Sequence, residues 1–299
     1  MSKKLLLSII VVLLITNVAT MIFWKTDNAD ESIDEESNID IKKPVATIAG
    51  KEISFKEWMK AVRSNYGKKQ LKNMIDHEVV EKLAKEQKIT VDEKVIERDI
   101  ALLTSMHGLT TETEQKELEE KWREDIIYRY QLEALLAEGV SVPEADIRSY
   151  YDKYNGQYQF EESLQLSHIL VSDMDTANKV YKELEGGARF DLLAKEYSID
   201  EDTKEQGGYL GFNSVNTEFL PTNYIDVAKD LKDYSYSKPF QVDNGVAILY
   251  LHTSLPKISF SYDELKPYIE HELALQSKNQ NLIADPLWDK LDIKWVYEE

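Results

Sequence analysis

The chain is 299 residues long, enough for roughly one to three domains with a sizeable core, and its 55 acidic against 36 basic side chains leave a formal charge of −19. That balance repels phosphate backbones, excludes nucleic acid as a partner and favours basic or apolar ones. Cysteine is absent, which excludes disulfides, thiolate metal sites and a lipid-modified N-terminal cysteine.

Lys3 and Lys4 precede an apolar run from Leu5 to Trp24 whose polar members are Ser8, Thr16, Asn17 and Thr20. Such a run, at about 1.5 Å per helical residue, spans about 30 Å, the hydrocarbon thickness of a bilayer. No Ala-x-Ala site follows it, and Phe23 and Trp24 suit the membrane interface. Residues 1–25 are therefore expected to form a single-pass transmembrane signal anchor in the cell membrane, with the body extracytoplasmic; a cleaved signal peptide is the competing reading. An exported body without disulfides suits a Gram-positive cell surface. Residues 26–44 carry Asp27, Asp30, Glu31, Asp34, Glu35, Glu36 and Asp40 before the first lysine, a self-repelling disordered spacer.

Folded structure is expected from Val45. Residues 45–48 and 52–53, turned at Gly50, read as a short hairpin, and Ser54 with Glu57 forms a capping box for a helix with Trp58, Met59 and Val62 inward. Apolar spacing predicts a helix through Leu71, Ile75, Val79 and Leu83, another capped by Thr90 and Glu93, and a third over 115–137. Ser141-Val-Pro-Glu144 starts one more, with Pro143 in its first turn. At the other end, 261–291 reads as helix and 293–297 as a strand expected to pair near Val45–Ile48. Tyr150, Tyr151, Tyr154 and Tyr158 either line a peptide groove or pack a hinge.

Between these helical pieces the texture changes. Leu164, Leu166, His168 and Leu170 share one face of a strand, while Gln165, Ser167, Ile169 and Val171 share the other. Ser172 or Asp173 caps a helix with Ala177, Val180, Tyr181 and Leu184 inward, closed by Gly186-Gly187. A short helix over 190–197 leads through Ser198-Ile-Asp200 into a turn at Gly207-Gly208; a third helix covers 223–231, and two strands flank a hairpin turn at Asp243-Asn-Gly245.

Ser-His-Ile-Leu at 167–170, the run from Gly186 to Ser198, Gly-Gly-Tyr-Leu-Gly-Phe at 207–212 and the Asn-Gly-Val hairpin at 244–246 together resemble the parvulin-type peptidyl-prolyl cis-trans isomerases, over about a third of the chain. The setting resembles the PrsA and SurA type of extracytoplasmic foldase. The expected fold is α+β: a parvulin-like βαββ domain with an antiparallel sheet, residues 161–256, inserted in a mainly helical chaperone-type domain of residues 45–160 and 257–299. The resemblance implies that His168 and Asp200 are the polar centre of the site, with Leu220, Tyr224 and Phe212 walling a proline pocket. Rotation of an X–Pro bond opposes a resonance barrier of about 18–20 kcal/mol and requires neither metal nor cofactor, so none is expected. The implied partners are unfolded or newly secreted polypeptides containing X–Pro bonds.

Two departures matter. Relatives commonly carry a second histidine two residues after the hairpin glycine, where this chain has Ala247; His252 is an odd number of residues further and points to the opposite face. The hydrogen bonds that fix the His168 tautomer are then incomplete or rebuilt with another group. Two readings stay open: a weakened isomerase, or a non-catalytic chaperone that keeps the shape as a peptide-binding module. The loop Ser172-Asp-Met-Asp175, lacking the basic residues that phosphate needs, favours basic or neutral substrates.

Overall fold

The computed structural model describes residues 39–297, and its contacts divide the chain into two units, 1–74 with 296–299, and 75–295. The anchor and most of the acidic spacer lie outside the described residues. Among the described residues no helix is long and apolar enough to cross a membrane.

In the first unit, β1 (Pro44–Ile48) and β2 (Lys51–Ser54) form an antiparallel hairpin. Its turn places Ala49 and Gly50 at positive φ, 49° and 83°. The Ser54–Glu57 capping box is present and opens α1 (Phe55–Val62), but Trp58 and Met59, expected inward, are 40% and 39% exposed. A two-stranded hairpin is too narrow to cover a helix face. The expected strand over 293–297 does not form. Ile293 packs instead on a helical cluster, and Trp295 stands edge-on to Trp288 at 5.3 Å.

In the second unit the helices before the sheet are α2 (Lys68–Gln87, counted here from Ile75), α3 (Glu93–Met106), α4 (Glu112–Ala137) and α5 (Glu144–Tyr154), and those after it are α9 (Tyr262–Lys278) and α10 (Asp285–Trp288). The cap of α3 is Asp92 rather than Thr90: its carboxylate accepts from the Lys94 amide at 2.8 Å, at the positive end of the helix. Pro143 sits at the cap of α5, one position before the first turn. The single helix expected over 261–291 is two, because Asn279 turns left-handed (φ 49°) and ends α9. Val80, Leu83, Leu132, Leu135 and Leu287 form one core; Ile147, Phe260, Leu265 and Ile269 anchor another.

The sheet is antiparallel throughout. β3 (Ser163–Val171) and β7 (Gly245–Leu255) are central, in the order β4 (Tyr209–Ser214), β3, β7, β5 (Ser235–Tyr236), while β6 (Phe240–Val242) pairs with β7 across the 243–244 turn. The period-two pattern of β3 sorts its side chains. Ile169 and Val171 pack under α6 (Met174–Glu185) and α7 (Phe190–Tyr197), whereas Leu164, Leu166 and Leu170 pack with α8 (Tyr224–Lys229). Asp173 caps α6 through the Thr176 amide.

Ile169 lies on β3, one of the two central strands, with no exposed surface. Ile169→Ala is expected to destabilise the sheet by about 2–5 kcal/mol through lost transfer energy and a residual cavity. Equilibrium urea unfolding measures it.

Candidate active site

His168 is 5% exposed, and both ring nitrogens are engaged. Nδ1 lies 2.7 Å from the Tyr224 hydroxyl and Nε2 2.7 Å from Asp200 Oδ2, with Thr203 Oγ1 at 3.1 Å. Thr203 Oγ1 also donates to Asp200 Oδ2 at 2.5 Å.

Local backbone pairing brings these groups together. After α7, the Ile199 amide donates to the Leu170 carbonyl at 2.7 Å, and Ser198 Oγ accepts from the Leu170 amide at 3.3 Å. The segment is thereby stitched to the end of β3, which aims Asp200 at the ring two residues back. On the other edge the His168 amide donates to the Gly208 carbonyl at 2.8 Å. Gly208 has φ 77°, and a Cβ there would lie 1.9 Å from the His168 carbonyl oxygen, so only glycine permits that approach.

The partners decide the tautomer. Burial lowers the affinity of His168 for a second proton, and the opposing pull of Asp200 does not reverse it, so the ring is neutral at neutral pH. Burial would raise Asp200, but the Thr203 hydroxyl and the His168 ring outweigh it and hold the carboxyl below its usual range. Burial, then the Asp200 charge, push the Tyr224 phenol up, so it keeps its proton. An ionised Asp200 can only accept; the ring proton therefore sits on Nε2, and Tyr224 donates to Nδ1.

Of the five expected site residues, the structure brings His168, Asp200 and Tyr224 into contact and sets Leu220 against the same cluster. Tyr224 is a hydrogen-bond partner with no exposed surface rather than a wall. It is the group that completes the hydrogen bonding of the ring in a chain that has Ala247 where relatives carry a second histidine; Ala247, opposite Leu170, packs in the same cluster. Phe212 is a correction. It packs with Phe160 and Ile258 in a different core, because Gly211, at φ 76°, breaks the alternation of β4 and turns Leu210 toward the His168 face instead. Thr203 was missed; a threonine three residues after an aspartate carries no signal of its own.

His252 lies on the opposite sheet face, 2.8 Å from Ser167 Oγ, with burial pulling it down to about 4. His77 stacks on Tyr128 at 4.0 Å. Among the described residues no group of histidine and carboxylate side chains is placed to hold a metal ion.

A family model described as a PPIC-type PPIASE domain matches residues 142–267. YacD of Bacillus subtilis, provisionally named a peptidyl-prolyl cis-trans isomerase, is 36% identical over 256 residues, which cover 85% of this chain and 86% of that protein. The foldase protein PrsA of Geobacillus kaustophilus is 29% identical over 242 residues, 78% of this chain and 81% of that protein. Among solved structures, the peptidylprolyl isomerase PrsA of Bacillus cereus aligns with 86% of this chain and 95% of its own at 25% identity, with a TM-score of 0.33, too loose a superposition to carry weight.

Tyr224→Phe removes the donor to Nδ1 and leaves a buried ring nitrogen unpaired, at an expected cost of about 1–3 kcal/mol. Ring 15N shifts of His168 should report a single Nε2–H tautomer in the parent chain and a mixture in the variant. Gly208→Ala should displace β4 from His168 and lower the thermal midpoint.

Proposed function

This chain belongs to the family of PPIC-type peptidyl-prolyl isomerases, and from that premise we propose that the His168 site catalyses cis–trans isomerisation of X–Pro bonds in unfolded polypeptides. The observation that carries the reading is the fully partnered imidazole, held between Asp200 and Tyr224 beneath the apolar side chains of Leu210 and Leu220.

Isomerisation breaks no covalent bond, so the site has only to destabilise the planar amide relative to the twisted one. Planarity depends on resonance that places partial negative charge on the carbonyl oxygen. Leu210 and Leu220 grip the proline ring and reduce hydration of that charge-separated form. The carboxylate of Asp200, whose side chain is 22% exposed, is the anionic group that meets the carbonyl from below. It repels the oxygen most in the planar state and least once resonance is lost. His168, Thr203 and Tyr224 hold the carboxylate ionised and in place.

Uncatalysed isomerisation takes roughly 10–100 s, long enough to leave an exported chain exposed. The body would act as a foldase for newly secreted polypeptides, tethered to the outer face of the cell membrane by the Leu5–Trp24 run and raised by the acidic spacer. The support for this placement is the length and flanking charge of that run. Asp173 and Asp175 after β3 disfavour phosphorylated substrates and favour basic or neutral residues before proline. A second reading, a binding module without catalysis, draws on the near-complete burial of His168.

A protease-coupled tetrapeptide assay on the chain separates the two. Catalysis predicts acceleration that falls roughly 10–100-fold in both His168→Ala and Asp200→Ala, the worth of one charge-assisted hydrogen bond. Rates equal to buffer for the parent chain would leave only the binding module. Neutral His168 is stabilising above its ordinary value of 6.5, and that contribution disappears as pH falls through its lowered value in the fold. The pH–rate profile should therefore be flat above 6.5, with an acid limb centred below it.

A further inference from the structure

The helical part of the second unit encloses a cleft of about 980 Å³ lined by α3, α4 and α9. Trp122, Tyr130, Tyr158, Phe260 and Tyr268 supply aromatic surface to its walls. The charged groups of the lining are Arg98 and Arg129 against Asp99, Asp125, Glu133 and Glu272, two cations against four carboxylates.

Both arginines are already ion-paired, and the Nε of Arg98 is buried without a hydrogen-bond partner. Asp99 is paired by Arg98 and by Arg129 and accepts from the Tyr130 hydroxyl at 3.1 Å, while Arg129 also pairs Glu133 at 3.2 Å. Glu272 is different. It accepts from the Tyr150 hydroxyl at 2.6 Å, the Tyr158 hydroxyl at 2.8 Å and the Gln276 amide at 3.1 Å. Among the described residues no lysine or arginine lies within 4.0 Å of it. Its charge is felt by its neighbours: burial raises Glu133, Arg129 pulls it back, and Glu272 adds to the rise. A half-buried carboxylate surrounded by tyrosine donors and a second carboxylate, with no cation of its own, leaves a site of negative potential at the wall of an aromatic cleft.

We infer that this cleft is a second polypeptide-binding site, which takes a lysine or arginine side chain of an extended client segment, with the cation against Glu272 and its methylene stem along the aromatic walls. Two features fit that occupant. Among the described residues Glu272 has no cation in salt-bridge reach, and a lysine stem is apolar enough to lie along the wall, where Arg129 and Arg98 already stand over the rings of Tyr130 and Tyr158. The charge of −19 on the whole chain steers cationic segments toward it. The site shares no residue with the His168 cluster, and the inference does not depend on the isomerase reading.

The test is fluorescence anisotropy of the full chain with a labelled, proline-free peptide of alternating leucine and lysine, and with its counterpart in which glutamine replaces lysine. The lysine peptide is expected to bind about tenfold tighter, and Glu272→Gln, which keeps the shape and an acceptor for the tyrosines, to abolish most of that preference. Leu102 lines the same cleft and is 43% exposed, so Leu102→Arg is tolerated by the fold and is expected to weaken the lysine peptide several-fold by repulsion. Equal binding of the two peptides by the parent chain overturns the inference. So does a Glu272→Gln chain that keeps the full preference, which would mark general attraction to an acidic surface. Should Glu272→Gln fail to fold, an unchanged affinity in Leu102→Arg overturns it.

Discussion

An imidazole can sit inside a β-sheet only if each of its nitrogens finds a partner, since a buried polar atom left alone costs about 1–3 kcal/mol. In this chain the partners are an ionised carboxylate on one side and a buried phenol on the other, and they arrive from two segments remote in sequence. Asp200 comes from the turn after α7, Tyr224 from the first residue of α8. Much of the sheet's local detail follows from bringing both to the central strand. The Ile199–Leu170 hydrogen bond fixes one approach, the glycine at 208 allows β4 to close on the other, and the left-handed Gly211 turns Leu210 onto the same sheet face as His168.

Ala247, where relatives commonly carry a histidine, is not a gap in this arrangement. Ala247 and Tyr224 belong to the same cluster, and the phenol reaches the ring nitrogen that would otherwise be unpaired. A tyrosine differs from a histidine in one respect that bears on chemistry. It stays protonated through the physiological range, so the donor to Nδ1 does not titrate, and pH acts on the network through His168 and Asp200 alone.

The helical part of the second unit distributes its polar groups differently. Most of its buried surface is aliphatic, gathered in cores led by Leu83, Leu132 and Leu135 and by Ile147, Leu265 and Ile269. Its buried charges instead concentrate at the cleft, where Asp99 has two arginines and Glu272 has only tyrosines and an amide. A buried ion pair adds little net stability, because desolvation offsets much of its attraction. These carboxylates, beside aromatic rings that Arg98 and Arg129 partly cover, give the cleft its chemical character.

Local pattern alone determined a good deal of this protein. Period-two alternation placed His168 on a face with leucines, while the capping box at Ser54 and a cap at Ser172 or Asp173 marked helix starts. These features are legible because they depend on neighbours a few residues away. Tertiary structure decided what depends on distant partners. Trp58 and Met59 had the spacing of a buried face, yet no broad layer covers them; the alternating run 293–297 had the look of a strand, yet its aromatic and aliphatic side chains went to helices. The same holds at the site. The resemblance singled out Tyr224 as a wall but not that its hydroxyl would complete the ring's hydrogen bonding, and it put Phe212 in the same pocket, where one left-handed glycine turns that ring to the other face. A residue's type and period fix which surface it offers; which surface it meets is set by chain-distant packing, and a single backbone dihedral outside the extended region is enough to exchange one face for the other.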